Sequence, residues 1–170
     1  MICKEDKAQV KQRVHALFSQ AQDHFSIPLT VPEITWRRCG KNAGTANLTT
    51  NKINFNPVLF CHNREAYFSD VIPHEVSHVV VHQLYGKVPP HGRQWQWVMT
   101  SVFDTPAKTT HNFDLTPLGL KGFSYQCACG EITLSVRRHN KVMRNQQQYI
   151  CRQCRNILIY VEGGKHHNVE

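Results

Sequence analysis

Apolar residues near the N-terminus follow the period of an amphipathic helix. Between Lys4 and Phe25 they recur at steps of three and four residues, which places them on one helical face. Pro28 ends this pattern, because proline lacks the main-chain N–H that a helix interior needs. Short alternating stretches follow and predict a small sheet of about three strands. The predicted strands are Ile34–Trp36, Ala46–Thr50 and Lys52–Asn56.

Helical spacing returns in the middle of the chain, in stretches separated by proline and glycine. The predicted helices are Asn63–Val71, His74–Tyr85 and Gly92–Asp104. Pro73 separates the first two, and Gly86 stands where a left-handed C-terminal cap is expected. Residues 107–123 have little periodicity and predict a loop that leads into a separate C-terminal unit. These elements predict an α+β fold, with one domain at residues 1–120 and a smaller one at residues 121–170.

Composition indicates a folded protein and narrows its surroundings. The chain has 170 residues, of which 41% are hydrophobic, and its formal charge of +8 makes an anionic partner worth testing. Residues 1–6 carry charges where a secretory signal needs an apolar core, and no apolar run approaches the roughly 18 residues of a membrane span. We therefore expect a cytoplasmic monomer without a membrane segment.

The residues His74-Glu75-Val76-Ser77-His78 form an HExxH motif at the start of a predicted helix. Positions i and i+4 lie on one helical face, so the two imidazoles can bind one metal ion at about 2.0–2.1 Å each. Glu75 flanks them and can take a proton from water, whose pKa zinc lowers to about 7. The motif predicts amide hydrolysis, and the alternative is a chance pattern among ordinary histidines.

A third zinc ligand must come from further along the chain. His82 lies about 12 Å of helix beyond the first histidine, too far to share its ion, and is predicted to pack or to face solvent. No glutamate follows before Glu131, and Leu84 occupies the position of a ligand six residues after the motif. The remaining candidates are His91, at a turn before the next predicted helix, and His111.

The cysteines of the C-terminal part form two close pairs, Cys127 with Cys129 and Cys151 with Cys154. Two thiolates from each of two tight turns can hold a tetrahedral zinc at about 2.3 Å, which is the layout of a zinc ribbon. The alternative is a set of redox disulfides. The other cysteines have no partner at ligand spacing and are predicted to be free thiols: Cys3, Cys39 and Cys61.

The order of these motifs resembles that of the SprT and SprT-like zinc metalloproteases, a family whose eukaryotic members include Spartan. The resemblance rests on the HExxH residues, on His91-Gly92 with Trp95 three residues later, and on the cysteine pairs. Length and layout are most similar to the bacterial branch. The resemblance implies a zincin-like metalloprotease domain, with helices packed on a small sheet, followed by a small β zinc ribbon.

The resemblance also implies roles for individual residues. His74, His78 and His91 are expected to hold a catalytic zinc, with Glu75 as the catalytic base, and the paired cysteines are expected to hold a second, structural zinc. Apart from the resemblance, a carboxylate that supports a zinc-bound histidine could come from Asp70 or Asp114, and His111 could line the cleft, stabilise an oxyanion or pack. The strand around Ile53–Asn56 is expected to form the sheet edge on which a polypeptide substrate lies.

A cluster of basic residues between the cysteine pairs favours an anionic binding partner. Its four cations stand at an expected hairpin tip, where they could contact the phosphates of single-stranded DNA or form an ordinary solvated hairpin. They are Arg137, Arg138, Lys141 and Arg144. Eukaryotic members of the resembled family are DNA-dependent proteases that act on DNA–protein crosslinks. The sequence thus predicts a zinc metallopeptidase of protein substrates, with association with DNA or stimulation by DNA as an extension of that function. The alternative is a non-catalytic nucleic-acid-binding or adaptor protein.

Overall fold

The computed structural model describes residues 2–37, 40–110, 113–119 and 122–161. The chain forms two compact units, residues 1–113 and residues 114–170. Each unit combines helices with a three-stranded sheet, so the predicted mixture of helices and small sheets is confirmed. No helix in the described residues has both the length and the apolar character needed to cross a membrane.

The N-terminal helix, α1, runs over Lys4–Phe25, as its apolar period predicts. The sulfur of Cys3 caps the first turn by accepting a hydrogen bond from the Asp6 main-chain N–H at 3.2 Å, and Ser26 ends the helix in a left-handed conformation. Each large apolar side chain that the helix buries contributes about 1.5–3 kcal/mol to folding. The buried stripe consists of Val10, Val14, Leu17, Phe18 and Ala21.

The sheet of the first unit has the strand order β1-β3-β2. Its strands are β1 (Glu33–Trp36), β2 (Gly44–Asn47) and β3 (Lys52–Phe55). Strand β3 pairs in parallel with β1 and antiparallel with β2, so it lies in the centre. The prediction that Ile53–Asn56 forms the sheet edge is therefore wrong, because β1 occupies the side of β3 that the β2–β3 hairpin leaves free. The edges are β1 and β2.

Helices cover the rest of the first unit. They are α2 (Pro57–His62), α3 (Arg64–Ala66), a π-helical segment Tyr67–Val71, α4 (Ile72–Tyr85), α5 (Arg93–Trp97) and a π-helical segment Val98–Val102. Pro73 lies in the first turn of α4, where a missing main-chain N–H is tolerated, so it begins this helix. Helix α4 packs on both α1 and β2. These contacts fix the helix that carries the HExxH residues beside an edge strand.

The second unit is a small sheet with one helix. It consists of β4 (Gly122–Cys127), β5 (Gly130–Ser135), α6 (Val136–Met143) and β6 (Ile159–Tyr160), with strand order β5-β4-β6. Tyr125 and Leu134 are buried in its core together with Leu158 and two of the cysteines. The predicted hairpin tip between the cysteine pairs is wrong, because residues 136–143 are helical and pack His139 and Val142 against the sheet.

Candidate metal centres

Three histidines bring their ring nitrogens together in the first unit. Nε2 of His74 lies 3.2 Å from Nε2 of His78 and 3.2 Å from Nε2 of His91. One ligand atom from each of the three lies within 4.8 Å of the others. Nitrogens bound to one tetrahedral zinc at about 2.0–2.1 Å lie about 3.3 Å apart, so the cluster fits that ion. Of the two candidates that spacing left open, His91 joins the pair, and His111 lies outside the described residues.

Two local structures bring these histidines into range. His74 and His78 lie one turn apart on α4, whereas His91 lies in the turn that leads into α5. That turn is closed by a hydrogen bond from the Gly92 N–H to the Pro89 carbonyl at 3.0 Å. The side-chain amide of Gln96 donates to the His91 carbonyl, also at 3.0 Å, and ties the turn to α5. His82, as expected, is not part of the cluster.

The indole ring of Trp95 packs against the histidine cluster. Its side chain is fully buried, and its ring centroid lies 4.8 Å from that of His74 and 4.7 Å from that of His91. The indole Nε1–H donates to the His74 carbonyl at 3.3 Å. The sequence shows Trp95 only as part of the motif that begins at His91, and its contacts with His74 were not predicted.

The outer nitrogen of His74 contacts a main-chain acceptor. Nδ1 lies 3.2 Å from the carbonyl oxygen of Lys108, a partner of the kind that orients metal-binding histidines. A carbonyl in an irregular segment leaves no signal in a sequence, and this contact was not predicted. Asp70, one of the expected carboxylates, instead lies 3.8 Å from Nζ of Lys108. Asp114, the other, belongs to the second unit.

Glu75 is buried beside the cluster, with 7% of its surface exposed. Burial raises the pKa of its carboxyl group to about 8, and a hydrogen bond from the Ala46 main chain on β2 opposes that rise. For His78, burial and then the neighbouring His74 and His91 lower the pKa to about 3. The neutral imidazole, which is the form that binds a metal, is therefore favoured at His78.

Two cavities border the histidines. One, of about 290 Å³, is lined by His74 and Glu75 together with polar residues that include Lys41 and Asp70. The other, of about 350 Å³, is lined by His78 and by mainly apolar residues, among them Val81 and Val88. The cluster thus opens to one cavity whose lining includes charged residues and to a second whose lining is mainly apolar.

The paired cysteines converge in the second unit. Sγ of Cys129 lies 3.3 Å from that of Cys127 and 3.5 Å from that of Cys151, and Cys154 completes a group within 4.8 Å. A disulfide needs a bond of about 2.05 Å, so these contacts are between free thiols, and the disulfide alternative is wrong. Main-chain hydrogen bonds from Cys154 and Gln153 lower the pKa of Cys151 to about 6. Four thiols at this spacing fit a structural zinc.

The remaining cysteines stand apart from this group. Cys3 caps α1 and Cys61 is exposed, and both are free thiols, as predicted. Cys39 lies outside the described residues. Neither of the two described cysteines belongs to a metal-binding cluster in the part of the chain that the structure covers.

The segment that begins with α6 and ends at Arg144 has a basic side and a buried side. Three cations lie on α6 and a fourth is its C-cap residue. The positions i, i+4 and i+7 share one side of a helix, and Arg138 at i+1 lies next to that side. The four cations are Arg137, Arg138, Lys141 and Arg144. The guanidinium carbon of Arg138 lies 5.5 Å from the ring centroid of Tyr149. On the buried side, His139 stacks on Phe123 at 3.5 Å, and its Nδ1 lies 3.1 Å from the Tyr125 hydroxyl.

Two known family models match the two parts of the chain separately. The model of the SprT-like family matches residues 14–111, and that of the SprT-like zinc ribbon domain matches residues 121–162. Protein SprT of Vibrio atlanticus is 43% identical over 89% of this chain and 91% of its own length. Protein SprT of Shewanella oneidensis is 42% identical, over 88% and 96% respectively. No solved structure matches the chain. The chain belongs to the SprT-like family and carries the zinc ribbon domain of that family.

Proposed function

We propose that this protein is a cytoplasmic zinc-dependent metallopeptidase with a zincin-like first unit. The observation that carries the proposal is the convergence of His74, His78 and His91 beside the buried carboxyl group of Glu75. In the described residues this cluster offers three protein ligands, whereas a closed structural zinc site uses four. Three ligands with an adjacent carboxylate and two open cavities are typical of a catalytic site.

In this mechanism the chain's own residues bind, orient and transfer a proton. A zinc ion held by the three histidines would polarise a carbonyl group and lower the pKa of water to about 7. The positive charge of that ion would favour the ionised form of Glu75, against the burial that favours the neutral form. The ionised carboxylate accepts a proton from water while the water oxygen forms a bond to the carbonyl carbon of the scissile amide. Glu75 then gives that proton to the amide nitrogen as the C–N bond breaks, and a main-chain hydrogen bond from Ala46 orients its carboxyl group.

The substrate we propose is an extended polypeptide that lies along β2. This strand is an edge of the sheet, it packs against α4, and its Ala46 main chain contacts Glu75. Main-chain hydrogen bonds to an edge strand hold a peptide without regard to its sequence, and side-chain pockets then add preference. The apolar cavity at His78, which includes Val81 and Val88, favours an apolar substrate side chain next to the cut bond.

The test of this function is the variant Glu75→Gln, which keeps size and hydrogen bonding but cannot take up the proton. We expect it to retain zinc and to lose cleavage of an unstructured protein, such as casein, measured by mass spectrometry of the products. Glu65→Gln, which changes an exposed glutamate on α3, is the matched control and should cleave like the parent. Parental cleavage by Glu75→Gln would contradict the mechanism.

We also propose that the ribbon binds single-stranded DNA through α6. The supporting observation is the cluster of four cations on this helix and at its C-cap, with Arg138 over the Tyr149 ring. Changing Arg137, Arg138, Lys141 and Arg144 to alanine should abolish salt-sensitive binding of an oligonucleotide, measured by fluorescence anisotropy. A double change of Arg152 and Arg155, exposed cations near the second cysteine pair, is the control.

Together these two experiments separate the enzyme from its alternative. DNA binding with no cleavage by the parent under any condition would favour a non-catalytic nucleic-acid-binding or adaptor protein. Cleavage that rises on addition of single-stranded DNA would join the two activities in one protease. Absence of DNA binding by the parent would remove the nucleic-acid proposal and leave the peptidase proposal intact.

A further inference from the structure

A groove separate from the histidine cluster lies between α1 and β1. It has a volume of about 600 Å³ and shares no lining residue with either cavity at the histidines. Helix α1 supplies Lys7, Lys11 and His15, all exposed, and β1 supplies Ile34 and Trp36 on the opposite wall. One wall is therefore basic, and the other is an edge strand.

The main chain of β1 is free on its groove side. The Glu33 N–H donates to the Asn51 carbonyl at 3.0 Å, so the main-chain groups of Glu33 and Thr35 point toward β3. Successive residues of a strand alternate in direction, so the N–H and C=O groups of Ile34 and Trp36 point away from β3. Within the described part of the chain these groups have no hydrogen-bond partner. An extended peptide could pair with them.

The spacing of the basic wall matches that of an extended peptide. Lys7, Lys11 and His15 follow one another at i, i+4 and i+8, which is about 6 Å of helix per step. Alternate residues of a strand lie about 6.6–6.8 Å apart on one face. Side chains at alternate positions of an added strand would therefore each meet one basic residue of α1.

The charges within the groove favour an acidic occupant. Glu33 is the acidic residue of its lining, and Nζ of Lys52 lies 2.6 Å from its carboxylate. Asp6, one residue from the first lysine, is engaged by Arg64 at 3.0 Å. Both acidic residues are thus paired with cations outside the groove. Among the described residues, no unpaired carboxylate of the groove lining neutralises Lys7 and Lys11.

The side chains of β1 would also give the two faces of an added strand different surroundings. Ile34 and Trp36 line the groove, whereas Thr35 and Arg37 line the opposite, polar face of the sheet. The indole of Trp36 is fixed by Phe55 and Phe60, with ring centroids at 5.6 Å and 5.4 Å. The methylene groups of acidic side chains could pack on this rigid apolar wall while their carboxylates reach α1.

We propose that this groove binds an extended acidic segment of a partner protein as an additional strand on the free edge of β1. Acidic residues at alternate positions of that segment face Lys7, Lys11 and His15, and the residues between them point to the polar face. This site goes beyond the proposed peptidase and does not depend on it, because its residues lie outside both cavities at the histidines.

The experiment uses the full-length Glu75→Gln variant, so that cleavage cannot remove the ligand. Fluorescence anisotropy measures binding of a labelled peptide that alternates Glu and Thr, and of a peptide of equal composition with its glutamates in one block. We expect the alternating peptide to bind more tightly. Lys7→Ala with Lys11→Ala should weaken it about tenfold, whereas Lys4→Ala with Arg152→Ala, two exposed cations outside the groove, should not.

A second arm tests strand addition without altering the protein. N-methylation of alternate residues in the same peptide removes main-chain donors on one edge and should abolish binding when it falls on the edge that faces β1. Equal binding of the alternating, block and N-methylated peptides would overturn the proposal. Absence of binding would overturn it too, as would an oligonucleotide that binds the groove lysines more tightly than the peptide.

Discussion

Gly44 on β2 lies so close to Glu75 that any side chain at position 44 would clash with the side chain of this glutamate. A Cβ built on Gly44 would lie 2.7 Å from Cγ of Glu75 and 2.8 Å from its Oε1. Strand β2 therefore passes directly over the buried carboxyl group only because this residue is glycine. The contact joins the sheet edge, on which the substrate is proposed to lie, to the proposed catalytic base.

The first prediction is that Gly44→Ala lowers peptidase activity by displacing Glu75. The new methyl group forces the carboxylate or the strand to move, and a shift of about 1 Å in a catalytic group can cost about 100-fold in rate. We expect kcat to fall about 100-fold while zinc content stays at the parental level, because the change does not touch a histidine. Kinetics on a fluorogenic peptide and metal analysis check both.

Thr45→Ala is the matched control for that prediction. Thr45 follows Gly44 on β2 and lines the polar face of the sheet away from Glu75. Truncation of the Thr45 side chain should leave kcat within about twofold of the parent, because it changes β2 without displacing Glu75. Parental kcat in Gly44→Ala would show that Glu75 tolerates displacement and would argue against its role as the base.

The second prediction concerns Trp95 and the affinity for zinc. Trp95→Phe keeps an aromatic ring under the histidines but removes the hydrogen bond from Nε1 to the His74 carbonyl. Changes in such supporting contacts typically cost 10–100-fold in metal affinity. We expect a loss in that range, measured by competition with a chromophoric chelator, and a matching drop in activity at limiting zinc.

Trp97→Phe serves as the control, because Trp97 is on the same helix but 41% exposed and packs on His24 and Phe25. It should bind zinc as the parent does. Equal losses in both variants would indicate a general effect on α5, and no loss in either would remove Trp95 from the support of the site.

Local patterns predicted much of both units. The apolar period of α1, the i and i+4 spacing of His74 and His78, and the close cysteine pairs are short-range features, so residues near in sequence determine them. The turn before α5 also left a local signal in Pro89-Pro90-His91-Gly92. These features belong to the chain segment itself and need no knowledge of its neighbours.

Contacts between distant segments could not be predicted in the same way. The central place of β3 depends on β1 pairing across the whole β2 hairpin, and the Lys108 carbonyl reaches His74 over 34 residues of chain. Residues 136–143 form a helix because His139 packs on Phe123 of β4, whereas their composition alone was compatible with a hairpin. Tertiary packing overrides weak local preference in such segments.

The third prediction is that the paired cysteines hold a second zinc that maintains the ribbon. A unit of this size buries little core, so the metal should supply much of its folding free energy. Cys151→Ser should lower zinc content from two ions per chain to one and collapse the amide shift dispersion of residues 122–161 in NMR spectra. His91→Ala should also remove one ion but leave those shifts in place.

Cys61→Ser, which changes an exposed free thiol of the first unit, is the control and should keep both ions. A ribbon that stays folded in Cys151→Ser, with two ions still bound, would contradict the assignment of this residue as a ligand.

The last prediction is that acid destabilises the ribbon through His139. The side chain is buried, and burial lowers its pKa below the ordinary value of 6.5. The unfolded chain therefore binds a proton more readily, so the stability that the neutral ring supports is present above about pH 6.5 and is lost as pH falls toward the folded pKa. In NMR titrations of the zinc-loaded protein, the ring protons of His139 should shift with a midpoint below that of a peptide covering residues 135–145. A midpoint at or above that of the peptide would show that the stack on Phe123 and the Tyr125 contact do not exclude the charged form.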